Sequence, residues 1–270
     1  MTSYKVMGIL NGTPDSFSDG GLFVSPQHAL DHTMQMISEG ADMIDIGCES
    51  SRPGSDRISI QEELDRLLPI LEIIRHNTNI PISIDTYKPE VMKAALSFNI
   101  DMINDIFALQ IPGAVALIKD AAVDVCIMHN LGTPETMHAS APYDDPLQDV
   151  CAFLSNRVQY LGEHGIAEER IIIDPGFGFA KTVDDNLALL RGIKQLTQLK
   201  LPVLVGLSRK SMFQKLMGGE IPDRLPSCLS ATLWCYEQGV QWFRTHDVKA
   251  TCDALKMSRI IREEQQYHEC

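Results

Sequence analysis

Several features that often reveal a protein's function are missing from this chain. Its seven cysteines (Cys48, Cys126, Cys151, Cys228, Cys235, Cys252 and Cys270) contain no C-x-x-C, and no Cys/His spacing matches a zinc site. An odd, scattered set reads most simply as reduced thiols in a cytoplasmic protein. Positive charge is scarce. Lys and Arg number 23 against 36 Asp and Glu, a formal net charge of -13. The average surface therefore repels nucleic acid and anionic membrane, and neither is expected as a partner. No apolar run is long enough to cross a bilayer. The first ten residues lack the basic region and cleavage site of a signal peptide and read as a strand. No G-x-G-x-x-G follows that strand and no Walker A lysine motif occurs, which removes the usual nucleotide-binding signatures. Hairpin turn signals between strands are absent too, so the crossovers must be helical and the sheet parallel.

What is present is regular. The 270 residues are 44% apolar and 22% charged, enough for a large core in one domain spanning 1–270. Apolar runs recur at Val6–Leu10, Ala41–Gly47, Pro81–Ile84, Met102–Ile103, Val123–Met128, Ile171–Ile173, Val203–Leu207 and Gln241–Arg244. Helical signals lie between them. Pro26 opens one helix that Gly40 closes. Ser59 caps the next, with Glu62 at the capping-box position. Further helices are expected from Pro89, over Pro112–Asp120 and Pro146–Gly165, from Asn186 to Leu196, over Ser227–Gln238, and from Val248 onward. Eight strand–helix units in this length point to a (β/α)₈ TIM barrel, whose usual size is about 250 residues. An open doubly wound sheet is the alternative, because alternation alone does not count closure.

In a barrel every strand ends on the same face, and ligands bind there. The run ends carry Asn11, Glu49 with Ser51 and Arg52, Asp85, Asn104, His129, Asp174, Lys210, and Arg244 with His246. One polar strand tip is ordinary solvent contact; a full ring of them points to a site. Asp174 stands out, because three isoleucines stop at it and Pro175–Gly178 turns the chain between Phe177 and Phe179. Asp85, Asn104 and Asp174 suit a flat heterocycle bearing N–H donors, and Arg52, Lys210, Arg244 and His246 suit phosphate. Asn11 could hold a hydrated Mg²⁺, which keeps few protein ligands when phosphates supply the rest. This pairing suits loss of pyrophosphate from a carbon attached to the ring. Plainer readings stand beside these. Asp15 is equally a turn residue, His129 and His138 read as loop histidines, and Trp234 and Cys235 read as core or subunit interface.

The segments N-G-T-P-D-S-F-S-D-G-G (Asn11–Gly21), D-I-G-C-E-S-S-R-P-G (Asp45–Gly54), S-I-D-T (Ser83–Thr86), I-N-D-I (Ile103–Ile106), D-P-G-F-G-F-A-K (Asp174–Lys181), G-L-S-R-K-S (Gly206–Ser211) and R-T-H-D-V (Arg244–Val248) together resemble the dihydropteroate synthase family. The resemblance implies a pterin-binding barrel. It would join p-aminobenzoate to 6-hydroxymethyl-7,8-dihydropterin diphosphate with Mg²⁺, as a transferase of folate biosynthesis, a homodimer and a sulfonamide target. Carried over residue by residue, it implies a pterin edge of Asp85, Asn104, Asp174 and Lys210, walled by Met128 and Gly206, with Arg244 stacked on the ring. Asn11, Arg52, Arg244 and His246 would hold the diphosphate and Mg²⁺. Phe17, Ser51, Pro53, Phe179, Lys210 and Ser211 would hold p-aminobenzoate, and Asp19 would lie near the cationic pterin. Asp19, Asp85, Lys210 and Arg244 are then the catalytic set.

The chain departs from the family pattern at four places. Gly12 stands where a β-branched residue is usual, Cys48 for a small Gly or Ala, Ser51 for Thr, and Ala180 for Gly. Gly12 is expected to loosen the first loop. None of the four removes a charge, so they bear on affinity for p-aminobenzoate and its mimics more than on the reaction. Two other functions remain in view: a pterin-dependent methyltransferase, which has no need of the Arg244/His246 pair, and a non-catalytic pterin-binding relative, which should have lost Lys210, Asp85 or Arg244.

Overall fold

The computed structural model describes residues 3–13, 25–50, 57–132 and 143–262. Eight parallel strands carry the fold: β1 (Lys5–Asn11), β2 (Met43–Gly47), β3 (Ile82–Asp85), β4 (Met102–Asp105), β5 (Asp124–Met128), β6 (Ile171–Asp174), β7 (Leu204–Val205) and β8 (Trp242–Thr245). Their order across the sheet is β6-β5-β4-β3-β2-β1-β8-β7. A parallel bridge between Ile173 and Val203 joins the two ends, and Ile173 N–H donates to Pro202 O at 2.9 Å. The sheet therefore closes into a TIM barrel, and the open alternative falls.

Helices α1 (Pro26–Ser38), α2 (Ile60–Asn77), α3 (Pro89–Ala95), α4 (Ala114–Asp120), α5 (Pro146–Glu163), α6 (Val183–Thr197), α7 (Ser211–Met217), α8 (Leu225–Glu237) and α9 (Val248–Arg262) surround it. Three differ from the sequence reading. Helix α6 begins at Val183 rather than Asn186. Thr182 and Asp185 form a reciprocal capping box there, which an apolar pattern does not register. Helix α8 begins at Leu225. Helix α7 was not expected at all: it is short, starts on Lys210 with no side-chain cap, and buries only Met212 and Phe213. Strand β7 is shorter than the apolar run at 203–207, because Leu207 O already accepts from Lys210 N–H in a turn. At α2, Ser59 Oγ accepts from Glu62 N–H at 3.1 Å, but the Glu62 carboxylate pairs with Arg66 at 2.6 Å instead of returning to the cap.

Side chains alternate across each strand, so every second residue enters the barrel. Met7, Met43, Met102, Cys126, Ile172, Leu204 and Trp242 form one apolar layer inside it, separate from the larger core between strands and helices. The next inward positions toward the strand ends are Asp45, Ser83, Asn104, Asp174 and Arg244. A dry plug of methionine and aliphatic carbon thus supports a polar floor. Register aligns the row above: Asn11 pairs with Gly47, Gly47 with Asp85, and Asp85 with Asn104, while Met128 pairs with Asp174.

Thr182→Ala should remove the hydroxyl half of the α6 capping box, leaving the backbone N–H of residue 182 on the Asp185 carboxylate, and cost about 1 kcal/mol, read as a lower denaturant midpoint at an unchanged slope.

Candidate active site

At the barrel floor Arg244 reaches across from β8. Its Nε donates to Asp45 Oδ2 at 2.5 Å and its Nη2 to Asp85 Oδ2 at 2.7 Å. Asn104 Nδ2 also donates to Asp45 Oδ2, at 3.3 Å. Burial opposes the Arg244 charge, but Asp45 and Asp85 more than offset it and hold the guanidinium firmly protonated. Burial pushes the Asp85 carboxyl upward, with Asp45 adding to the push and Arg244 opposing it. Asp45 is the residue that the strand-tip reading passed over. It lies inside a run rather than at its end, although the period-two set Met43, Asp45, Gly47 places it inward.

Asp174 is buried at the end of β6, and its Oδ1 accepts from Gly176 N–H at 2.7 Å. Burial raises its pKa, against the Gly176 N–H and the fields of Lys210, Arg244 and Lys181. Gly176 adopts φ +70°, and a Cβ there would stand 2.0 Å from His129 O, so only glycine lets the loop fold back on β5. Lys210 Nζ lies 4.5 Å from the centre of the Phe179 ring. Burial lowers Lys210 to about 8, with Asp174 resisting. Gly206 is open: a Cβ there would meet nothing within 4 Å, which leaves room beside Lys210 and Arg244 for a flat ligand. Three acidic groups (Asp45, Asp85, Asp174) thus share the floor with Arg244 and Lys210, with Lys181 behind the Asp174 loop.

Other expected residues take different places. His246 is backed by Ser208, whose Oγ lies 3.0 Å from His246 Nδ1 and accepts from His246 N–H at 3.2 Å. Asn11, half-buried, ends β1. Met128 packs with Ile106 and Phe107, with Tyr87 and Phe179 against them. Ser211 is exposed at the start of α7. Glu49, counted in the ring of tips, is committed elsewhere: it binds Lys88 at 2.5 Å and Arg57 at 2.8 Å and accepts from Tyr87 Oη at 3.2 Å. Phe17, Asp19, Ser51, Arg52 and Pro53, with Asp15 and His138, lie outside the described residues.

Sequence reasoning also missed Lys181. Its buried ammonium donates to Gly176 O at 3.0 Å, Phe179 O at 3.1 Å and His129 O at 3.4 Å, and lies 3.0 Å from His129 Nδ1. Burial lowers it to about 7. It staples the Asp174 loop from behind. His129 is accordingly a packing residue, edge-on to Phe153, and burial pushes it down to about 3.

Two departures from the family pattern explain each other. Gly12 itself is tied to β2, because its N–H donates to Gly47 O at 2.8 Å; the loop it was expected to loosen lies, from residue 14 to 24, outside the described residues. A Cβ at position 12 would come 2.6 Å from Cys48 Sγ and 3.2 Å from Ile70 Cδ1, so the Cys48 thiol occupies the space that a side chain at 12 would fill. Ala180 adopts φ 48°, the left-handed region that glycine enters freely, and carries about 1–2 kcal/mol of strain for its Cβ.

Residues 7–246 match the pterin-binding enzyme family. The dihydropteroate synthase of Haemophilus influenzae is 44% identical over 253 residues, covering 94% of this chain and 92% of that protein. The chain belongs to the dihydropteroate synthases of this family. Among solved structures, Xanthomonas albilineans dihydropteroate synthase with 4-aminobenzoic acid is 42% identical, with a TM-score of 0.92 over 97% of this chain and 94% of that one. The enzyme from the same organism in complex with 7,8-dihydropteroate is 39% identical, with a TM-score of 0.87 over 97% and 95%.

Gly12→Val should cost about 1–3 kcal/mol by overpacking, and Cys48→Ala in the same chain should recover much of it. The check is a double-mutant cycle in denaturant, with coupling of about 1 kcal/mol or more. Lys181 provides a pH test. Its folded pKa of about 7 lies below the ordinary 10.5, so its protonation penalises folding fully below pH 7, and the penalty fades as pH rises to 10.5. Relative to Lys181→Met, wild-type stability should therefore climb across that window, measured as denaturant midpoints on the two proteins.

Proposed function

We propose that this chain condenses 6-hydroxymethyl-7,8-dihydropterin diphosphate with p-aminobenzoate, giving 7,8-dihydropteroate and pyrophosphate in folate biosynthesis. The observation that carries this reading is the polar floor. An acidic and amide edge of buried Asn104 and Asp174 and half-buried Asp85 stands beside Arg244 and Lys210 at one barrel mouth, with open space over Gly206. The similarity to synthases solved with 4-aminobenzoic acid and with 7,8-dihydropteroate supports the same substrates here.

Asp85, Asn104 and Asp174 accept or exchange hydrogen bonds with the pterin's amino and ring N–H groups, at a depth where an unmatched ring would leave them unpaired. Arg244, rigidly oriented by Asp45 and Asp85, presents its remaining face to the ring and to the diphosphate. The C–O bond between the exocyclic methylene and the diphosphate breaks, and its electron pair leaves with pyrophosphate. Arg52, Arg244 and His246 stabilise the charge that develops there. The acidic groups of the floor, with Asp19, stabilise the cationic pterin left behind. The amine of p-aminobenzoate, held by Phe17, Ser51, Pro53, Phe179, Lys210 and Ser211, then attacks the methylene. A C–N bond forms, and the nitrogen gives up its proton. No protein nucleophile takes part.

Asn11 offers a hard amide oxygen at the barrel mouth, which fits a hydrated Mg²⁺ shared with substrate phosphates. When bound, Mg²⁺ would supply charge neutralisation to the departing pyrophosphate. We further propose a cytoplasmic homodimer. Trp234, pinned by its Nε1–H to Leu190 O at 2.7 Å yet 47% exposed, supports an interface on α8. No described helix is long and apolar enough to cross a membrane.

Pyrophosphate release should require the pterin substrate and yield dihydropteroate when p-aminobenzoate is added. Asp174→Ala should lower kcat/KM by about a hundredfold or more. Tight pterin binding without condensation in the wild type would make the chain a non-catalytic relative, and absence of pterin binding would overturn the site.

A further inference from the structure

The turn that leaves β4 is gripped by two side chains. Asp105 follows Asn104, so its side chain points out of the barrel, where it is fully buried. Its Oδ1 accepts from Phe107 N–H at 2.7 Å and its Oδ2 from Leu109 N–H at 2.8 Å. Arg157, on α5, also holds the turn, donating Nε to Ala108 O at 2.5 Å and Nη2 to Leu109 O at 2.6 Å. Between these two grips Ala108 and Leu109 both sit in the left-handed region, at φ 53° and 57°. Successive non-glycine residues hold that conformation only where their surroundings impose it, and such strain concentrates at functional sites.

The gripped turn carries apolar side chains next to the polar floor. Ile106 and Phe107 form an apolar shelf with Met128, and Phe179, the ring beneath Lys210, packs on that shelf. A glycine turn would close the same backbone with less strain and a softer shelf. The strained, doubly held version fixes the shelf relative to the Asp85–Asn104 edge one residue away. We propose that Asp105 and Arg157 are positioning residues for the pterin substrate, setting its affinity through the Ile106–Phe107 shelf. This rests on the reading of the floor as a pterin site.

The test is titration of 6-hydroxymethyl-7,8-dihydropterin diphosphate into wild type, Arg157→Met and Asp105→Asn, alongside thermal melting and the KM for p-aminobenzoate. Arg157→Met releases two carbonyls. Asp105→Asn keeps the shape of the side chain and turns one acceptor into a donor. Arg157→Met should raise the pterin Kd about tenfold and Asp105→Asn severalfold, with a clearly smaller rise in the KM for p-aminobenzoate, carried through Phe179. A lower Tm with an unaltered pterin Kd, in either variant that folds, overturns the proposal and leaves the lock architectural. Loss of affinity for both substrates alike does the same. A wild type that binds no pterin fails the reading of the floor instead, and that outcome is distinct from both.

Discussion

A guanidinium buried in the barrel mouth sets the terms for everything around it. Arg244 could not lie there alone, since an uncompensated charge away from water is costly. Asp45 and Asp85 compensate it from β2 and β3, so one side chain on β8 reaches past β1 to two strands that are not its neighbours in the sheet. The apolar layer beneath keeps water from entering from below and leaves these groups only one another and whatever comes through the mouth. Asp174 extends the same arrangement on β6, where Lys210, Arg244 and Lys181 oppose the upward push of burial on its carboxyl.

Burial also disciplines the two lysines of the site, in different ways. Lys210 faces the mouth and keeps a proton with help from Asp174. Lys181 faces carbonyl oxygens behind the Asp174 loop and is held by dipoles, with His129 beside it. The first can answer a ligand and the second maintains the loop. Glu63 and Lys88 repeat the second pattern under β3, where Lys88 binds Glu63 at 2.7 Å and Glu49 at 2.5 Å. The polar floor therefore rests on a wider set of buried charges already matched by protein partners.

The barrel was legible because a parallel sheet buried on both faces writes itself as apolar runs, and the groups at the run ends fall on one face. Asp85, Asn104, Asp174 and Arg244 were readable for that reason. Asp45 was not, because it interrupts a run from within. Glu63 occupies the buried stripe of α2 beside Leu67, Ile70 and Ile74, where a carboxylate looks like a surface residue until its partner is seen. Arg157 is hidden the same way on α5. Glu49 was read as a site group because its position is right; only its contacts reveal that its charge is already matched. Helix α7 escaped because seven residues between a basic tip and Gly218 give no period to follow.

The contact between position 12 and the Cys48 thiol makes the two positions one packing unit. A branched residue at 12 and a sulfur at 48 compete for one volume. What either position tolerates therefore depends on what fills the other, and a substitution at one of them cannot be weighed alone.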